Sequence, residues 1–169
     1  KTISLRDSLD KINSERKGYF SDEDKLKGAA KKTFSDDIDQ ATAKCGEVLA
    51  KQVLTAGLRE SDFSRSPTAP RKLRGATEIG WSLQGEGPLD KVVNLLFLAE
   101  KSPYLHRVDD LVLFPGQSPG LVRVRFRYLT LVIQPAPAVD LKELAAPFTL
   151  AAMERRVFDV IGVRDILRP

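Results

Sequence analysis

The residues able to perform chemistry are few and stand far apart in the sequence. The chain has one cysteine, Cys45, and one histidine, His106, so a zinc site would have to be built from one ligand of each type. Cys45 falls on an apolar stripe at helical spacing, which indicates core packing rather than thiol catalysis. We therefore predict no metal site and no bound cofactor.

Two pairs of neighbouring carboxylates, Asp36-Asp37 and Asp109-Asp110, are the remaining candidates for acid–base catalysis. Neighbouring side chains in a strand point to opposite faces, so Asp109 and Asp110 are not expected to act together. The glycines of Gly85-Glu86-Gly87 lack the lysine and the serine or threonine of a phosphate-binding loop. Because no nucleophile, base and orienting group form a set, we predict no catalytic residues and no enzyme.

Arg123, Arg125 and Arg127 form the strongest basic feature of a chain whose formal net charge is +4. They alternate with apolar residues along a predicted strand, so they share one face of a sheet. A solvated outer face of an antiparallel sheet has this pattern and needs no ligand. A nucleic-acid contact through the same arginines is the alternative, although a basic patch alone is a weak sign of one. We do not expect nucleic acid among the partners.

Hydrophobic periodicity predicts two helices and four strands that position these residues. Their order is a helix at 33–57, a short strand at 58–64, a strand at 75–86, a helix at 88–101 and strands at 105–114 and 121–133. A basic loop at 65–74 and a Gly87-Pro88 helix start, with Gly87 as the N-cap, complete the pattern. An αββ unit repeated twice places two helices on one face of a four-stranded antiparallel sheet. The predicted fold class is therefore α+β, a circularly permuted ferredoxin-like domain.

Three regions follow from this order. Residues 1–57 are predicted to form a helical or coiled-coil arm whose second helix packs on the sheet, residues 58–134 the ferredoxin-like core, and residues 135–169 a Pro-containing linker with a C-terminal helix or tail. The second helix carries a heptad-like seam with steps of four, three, four and three: Phe34, Ile38, Ala41, Cys45 and Val48. The seam either packs on the chain's own domain or contacts a partner.

Six apolar residues are candidate contacts with a protein partner. Phe97 falls among the polar residues of the helix at 88–101, where an aromatic ring can anchor a partner unless a loop or the N-terminal helix covers it. The others lie on the seam or on a C-terminal helix predicted at about 149–160: Phe34, Ile38, Val157, Phe158 and Ile161.

Residues 88–134 resemble the periplasmic domain of the PilO family of type IV pilus proteins and of the related type II secretion protein M. The resemblance rests on LDKVVNLLFLAEKSPYLHRVDDLVLFP followed by GLVRVRFRYLTLVI, where a helix leads through Ser102-Pro103-Tyr104-Leu105 into a strand. It implies a membrane helix upstream of Lys1, a ferredoxin-like domain in the periplasm, homodimers, and heterodimers with a similarly folded subunit of the PilN or secretion protein L type. The polar break within 1–35 and the long extension 135–169 depart from the family pattern.

The resemblance implies a non-catalytic structural subunit of an inner-membrane assembly platform, which serves type IV pilus biogenesis or type II secretion. Such a subunit acts by homo- and hetero-oligomerisation in the periplasm and has no small-molecule substrate. The alternative that stays open is a soluble ferredoxin-like regulatory or nucleic-acid-binding domain that uses the arginine strand.

Overall fold

The computed structural model of the chain describes residues 27–133, 150 and 153–163, together with Lys11 and Lys25. Its main elements are α1 (Ile38–Thr55), β1 (Phe63–Pro67), β2 (Arg71–Leu73), β3 (Ala76–Pro88), α2 (Leu89–Glu100), β4 (His106–Pro115) and β5 (Leu121–Ile133). A 3-10 helix at Met153–Phe158 leads into a short helix, α3 (Asp159–Val163). Most of the predicted arm before residue 27 and the predicted linker after residue 134 lie outside the described residues.

The strands form one antiparallel sheet in the order β1-β3-β5-β4. The short strand β2 also pairs with β3, as β1 does. β3 and β5 pair along their whole length, from Ala76 opposite Ile133 to Pro88 opposite Leu121. Both α1 and α2 contact β3 and each other. The predicted α+β class with an antiparallel sheet is therefore confirmed, and the arrangement is compatible with a ferredoxin-like class.

One face of the sheet is apolar because alternate residues of β3 and β5 point towards the helices. Ile79, Leu83, Phe126 and Tyr128 are buried there and belong to one hydrophobic cluster with residues of both helices. The indole N–H of Trp81 donates to the backbone carbonyl of Thr42 at 2.8 Å, which ties α1 to β3. The cluster reaches back to Phe34, so α1 is part of the same core as the sheet.

α1 begins later than predicted because an aspartate caps it. Asp37 Oδ1 accepts the backbone N–H of Gln40 at 2.8 Å, so the helix begins at Ile38 and not near residue 33. Phe34 precedes the helix and stacks on Tyr104, with 4.1 Å between the ring centroids. Gly57, with φ +83°, lies in the left-handed region that commonly follows a helix, where the sequence predicts the end of α1.

The region between α1 and β3 differs from the prediction. The strand predicted at 58–64 is wrong in its first part, where a 3-10 turn occupies Glu60–Asp62, and β1 instead runs on to Pro67. The predicted loop at 65–74 contains β2. Most side chains of these edge strands are exposed, so no hydrophobic alternation marks them. Pro88, rather than Gly87, is the N-cap of α2, since Pro88 still pairs with Leu121.

Candidate interaction surfaces

The sheet face opposite the helices carries the predicted arginine stripe. β5 spans Leu121–Ile133, as predicted, and its arginines alternate with buried apolar residues. Arg123 Nη2 lies 3.6 Å from Glu86 Oε2 on β3. Arg125 is exposed and, among the described residues, has no carboxylate within ion-pair distance. Arg127 is paired with Asp110, so two of the three arginines, Arg123 and Arg127, have acidic neighbours.

A bulge brings Asp109 and Asp110 together, contrary to the prediction. The register between β4 and β5 shifts between Asp109 and Val112, and Asp110 has a φ of 50°. As a result, Arg127 Nη2 lies 2.7 Å from Asp110 Oδ2 and 3.5 Å from Asp109 Oδ2. The prediction assumed regular alternation, which fails where a bulge re-aims a side chain. The two carboxylates share one guanidinium group, an arrangement suited to an ion pair rather than to proton transfer.

Further ion pairs extend from this bulge across the sheet. Arg107 Nη2 lies 3.4 Å from Asp109 Oδ2 and 3.3 Å from Glu78 Oε2. Arg71 Nε on β2 lies 3.4 Å from Glu78 Oε1. With Arg127 and Asp110, three arginines and three carboxylates alternate, so their formal charges cancel. Exposed ion pairs contribute only about 0–1 kcal/mol each, so the network matters mainly for the surface potential.

β4 forms one edge of the sheet and exposes two large apolar side chains. Leu111 is 47% exposed and Phe114 is 49% exposed. An edge strand offers unpaired backbone N–H and C=O groups to which another strand can be added. The bulge divides this edge into two stretches, His106–Asp109 and Val112–Pro115. The opposite edge consists of β1 and β2, which have five and three residues.

Two of the predicted interface residues, Phe34 and Ile38, pack against the chain's own core. Phe34 is buried and Ile38 is half-buried against the same hydrophobic cluster. The seam residues Ala41 and Cys45 are buried as well. Within the described residues the seam thus packs on its own domain, and Phe34 offers no free surface because Tyr104 stacks on it.

Phe97 is also buried, at 1% exposed, and the segment that covers it is neither a loop nor the N-terminal helix. The ring of Phe158 packs on it edge-to-face, with 5.4 Å between centroids and 70° between planes. Of the candidate contacts on the predicted C-terminal helix, Val157 is 74% exposed, while Phe158 and Ile161 are half-buried. Val157 is exposed because Met153–Phe158 form a 3-10 helix. With three residues per turn, side chains spaced for an α-helix no longer share one face.

The single cysteine and histidine have structural environments. Cys45 is buried, and burial raises the pKa of its thiol to about 12, so the reactive thiolate is scarce at neutral pH. His106 Nδ1 donates to the Tyr104 carbonyl at 2.7 Å, and its ring stacks on Tyr128. In residues 27–133 and 153–163, no three His, Cys, Asp or Glu side chains are grouped so as to hold a metal ion.

The junction between α2 and β4 is fixed by three hydrogen bonds, of which the one from Tyr128 is buried. The Tyr128 hydroxyl donates to Ser102 Oγ at 2.8 Å, and the Thr130 hydroxyl donates to the Leu105 carbonyl at 2.6 Å. The Leu105 N–H donates to the Lys32 carbonyl at 2.9 Å. Burial raises the pKa of Tyr128, so its hydroxyl stays protonated and remains a donor. These bonds set the direction in which the chain enters β4.

No family model, curated protein or solved structure matches this chain. None of the helices in the described part of the chain is both long enough and apolar enough to span a bilayer. Three surfaces of the described residues are the candidates for contact with a partner: the β4 edge, the arginine face of the sheet and the α2 face that the C-terminal segment covers.

Proposed function

We propose that the chain is a non-catalytic structural subunit of an inner-membrane assembly platform, of the type IV pilus or type II secretion kind. The observation that carries the proposal is the junction from Ser102 to Leu105. This segment resembles the PilO family in sequence, and three hydrogen bonds integrate it into the core. Residues that serve packing in this way suit a scaffold, whose work is to present surfaces to partners.

The strand order supports the finer fold assignment within this proposal. α1 is followed by the β1–β2 edge and β3, and α2 is followed by β4 and β5, an order that two αββ units would give if β1 and β2 count as one edge. The strands of the first unit, β1 and β3, lie beside those of the second, β5 and β4, and a circularly permuted ferredoxin-like domain would have this order. In the same proposal a helical or coiled-coil arm, separated from α1 by the turns at 31–37, leads towards a membrane helix upstream of Lys1.

We assign partner pairing to the β4 edge. Its outer backbone groups pair with no other strand of the described residues and so suit an added strand, and Leu111 and Phe114 supply apolar contacts beside it. The partner would be a second copy or a similarly folded subunit of the PilN or secretion protein L type. Because the bulge at Asp110 interrupts the edge, the pairing would be short, which favours an exchangeable interface over a permanent one.

Sedimentation velocity on the purified chain tests this assignment. We expect concentration-dependent dimers, and Leu111→Arg or Phe114→Arg should weaken them about tenfold or more, since each places a charge in an apolar contact. Leu54→Arg is the matched control, because Leu54 on α1 is a leucine of comparable exposure, 56% against 47% for Leu111. Equal effects of the Leu54 and Leu111 substitutions would reject the β4 edge as the interface.

The location is tested by fusing β-lactamase to the C-terminus of the full-length gene product. The enzyme confers ampicillin resistance only when it is exported, so we expect resistant cells. Sensitive cells with a stable fusion protein would refute the periplasmic assignment. Deletion of the gene should also abolish pilus assembly or the export of secretion substrates, and normal function in both assays would refute the platform role.

The alternative, a soluble regulatory or nucleic-acid-binding domain, has less support from the arginine face. Arg123 and Arg127 lie beside carboxylates, which lowers the positive potential that phosphates would meet. A salt-dependent gel shift that is lost when Arg123, Arg125 and Arg127 are all replaced by alanine would favour this alternative. The absence of any shift at low salt would eliminate its nucleic-acid form.

A further inference from the structure

The C-terminal segment docks on the face of α2 that carries the helix's polar residues. Three side-chain contacts hold it: Arg155 Nε donates to Asn94 Oδ1 at 2.6 Å, Phe158 packs on Phe97, and Glu154 Oε2 lies 3.4 Å from Lys101 Nζ. The three positions on α2 follow one another at steps of three and four residues, so they form one stripe along the helix. The contact thus combines an acceptor, an aromatic ring and a cation.

Asn94 is oriented for this contact by α1. Its Nδ2 donates to the carbonyl of Ala56, at 3.5 Å, just after the end of α1, which leaves Oδ1 to accept from Arg155. The Arg155 side chain is only 13% exposed, and its Nη1 also lies 2.9 Å from Asp159 Oδ1. A partly buried guanidinium group is costly without partners, so these two acceptors specify an arginine at this place.

The segment is tethered in a way that permits exchange between copies. Its main contacts outside itself are with α2. Leu150, just before the segment, packs against the hydrophobic core, so residues 134–149, sixteen in number, separate the docked part from β5. At about 3.3 Å per residue this link spans at most about 50 Å, which is long enough to reach the chain's own α2 or that of a neighbouring copy. The docking contacts are the same in both cases, so exchange costs little.

We propose that the stripe of Asn94, Phe97 and Lys101 is a docking site for residues 153–163, filled by the chain's own segment in a single copy and by the segment of a second copy in an exchanged dimer. The buried state of Phe97 explains why the site must be filled: without Phe158 a large aromatic ring would be exposed to water. The inference does not depend on the platform role.

A charge exchange between two full-length variants tests the proposal. Asn94→Arg faces the native Arg155 with a second cation, and Arg155→Glu faces Asp159 with a second carboxylate, so each variant weakens its own docking. In a mixed, exchanged dimer, the new guanidinium group at 94 meets the new carboxylate at 155, and the other site regains the native Asn94–Arg155 bond. Only this heterodimer satisfies both sites.

We expect equimolar mixing of the two variants to give a heterodimer at least about tenfold tighter than either variant's self-association, measured by sedimentation velocity and by energy transfer between amine-labelled chains. The chain with both substitutions is the control, since it restores the contact within one copy and should be monomeric under the same conditions. Leu111→Arg in both chains should leave the heterodimer unchanged, which separates this contact from the β4 edge. A mixture of folded variants that stays monomeric would overturn exchange.

A peptide provides a second measurement on the folded chain. A labelled synthetic peptide of residues 150–163 should bind full-length Arg155→Glu about tenfold or more tighter than the native chain, whose own segment occupies the site. The same peptide with Phe158→Ala should not bind, whereas Val157→Ala should bind normally because Val157 is exposed. Equal affinity for the native chain and the variant would overturn the docking site itself.

Discussion

Gly46 on α1 packs against the indole ring of Trp81 on β3, and Gly46→Ala measures how firmly that ring is held. Gly46 is a buried residue within α1. A Cβ atom at this position would lie 2.7 Å from Trp81 Cζ2 and 2.9 Å from Cε2, which is closer than real Cβ contacts. The indole cannot simply retreat, because its N–H donates to the Thr42 carbonyl on the same helix.

Two opposing contributions decide the change in the free energy of unfolding. Replacing glycine by alanine inside a helix stabilises a protein by about 1 kcal/mol. Forcing an extra carbon into a packed interior costs about 1–3 kcal/mol, and loss of the indole hydrogen bond costs about 1 kcal/mol more. We therefore expect Gly46→Ala to destabilise the chain by about 1–3 kcal/mol.

Urea unfolding followed by fluorescence measures this directly, because Trp81 is the only tryptophan in the chain. The native emission should also shift in Gly46→Ala, since the ring must move relative to α1. Gly28→Ala is the matched control: Gly28 is helical, and a Cβ atom there would meet nothing within 4 Å. This control should be neutral or stabilising by up to about 1 kcal/mol.

The reasoning is refuted if Gly46→Ala stabilises the protein as Gly28→Ala does and leaves the tryptophan emission unchanged. A double-mutant cycle with Trp81→Leu adds a stricter condition. Once the indole is gone, the alanine at this position should show only its helix-propensity gain, so the two substitutions should couple by about 1 kcal/mol or more. Additive effects would mean that the ring does not limit the space at Gly46.

Three further predictions concern the buried thiol, the bulge and the arginine face. Burial raises the Cys45 pKa from 9.0 to about 12, so the unfolded chain loses this proton at lower pH than the folded chain does. The free energy of unfolding should therefore fall above about pH 9, by up to about 1.4 kcal/mol per pH unit. Urea unfolding at pH 9 and pH 10 should show a smaller decrease for Cys45→Val than for the native chain. Asp110→Val should lower the free energy of unfolding by about 1–3 kcal/mol, because a β-branched residue is strained at a φ of 50° and the ion pair to Arg127 is lost. Asp110→Asn should cost less than half as much, and thermal melts of both variants measure the difference. Finally, no oligonucleotide gel shift is expected at about 0.15 M salt; a shift at that salt that Arg125→Ala removes would contradict the neutralised face.

The central strands and α2 could be predicted from the sequence because their periodicity leaves one interpretation. In β5, Val124 and Phe126 alternate with arginines over a long run, and the predicted and observed bounds coincide. α2 is apolar over most of its surface and lies between a Gly-Pro pair and a Ser-Pro pair. Its one misplaced detail, the N-cap, arises because strand pairing continues through Pro88, which no local pattern records.

Other features depended on contacts between distant parts of the chain. The bulge at Asp110 is set by how β4 registers against β5, so alternation alone assigned Asp109 and Asp110 to opposite faces. The covering of Phe97 by Phe158 joins residues 61 positions apart, and no local spacing indicates such a contact. One combination of residues does indicate the contact. Phe97 is an aromatic residue on a polar helix face, and the separate C-terminal segment carries an arginine and an aromatic residue, Arg155 and Phe158.

The positions of these surfaces limit how a partner can bind. The helix-facing side of the sheet is filled by the core, and the opposite side carries arginines and carboxylates whose charges largely cancel, so neither offers a strong attraction. Paired apolar exposure is found instead at the β4 edge, through Leu111 and Phe114, and on the docked segment, through Val157 and Val160, while Leu54 on α1 and Leu73 on β2 are exposed singly. A partner attracted by these residues would bind mainly by apolar contact and strand pairing, so its affinity should depend only weakly on salt. A steep loss of partner binding between low and physiological salt would instead indicate that the arginine face takes part.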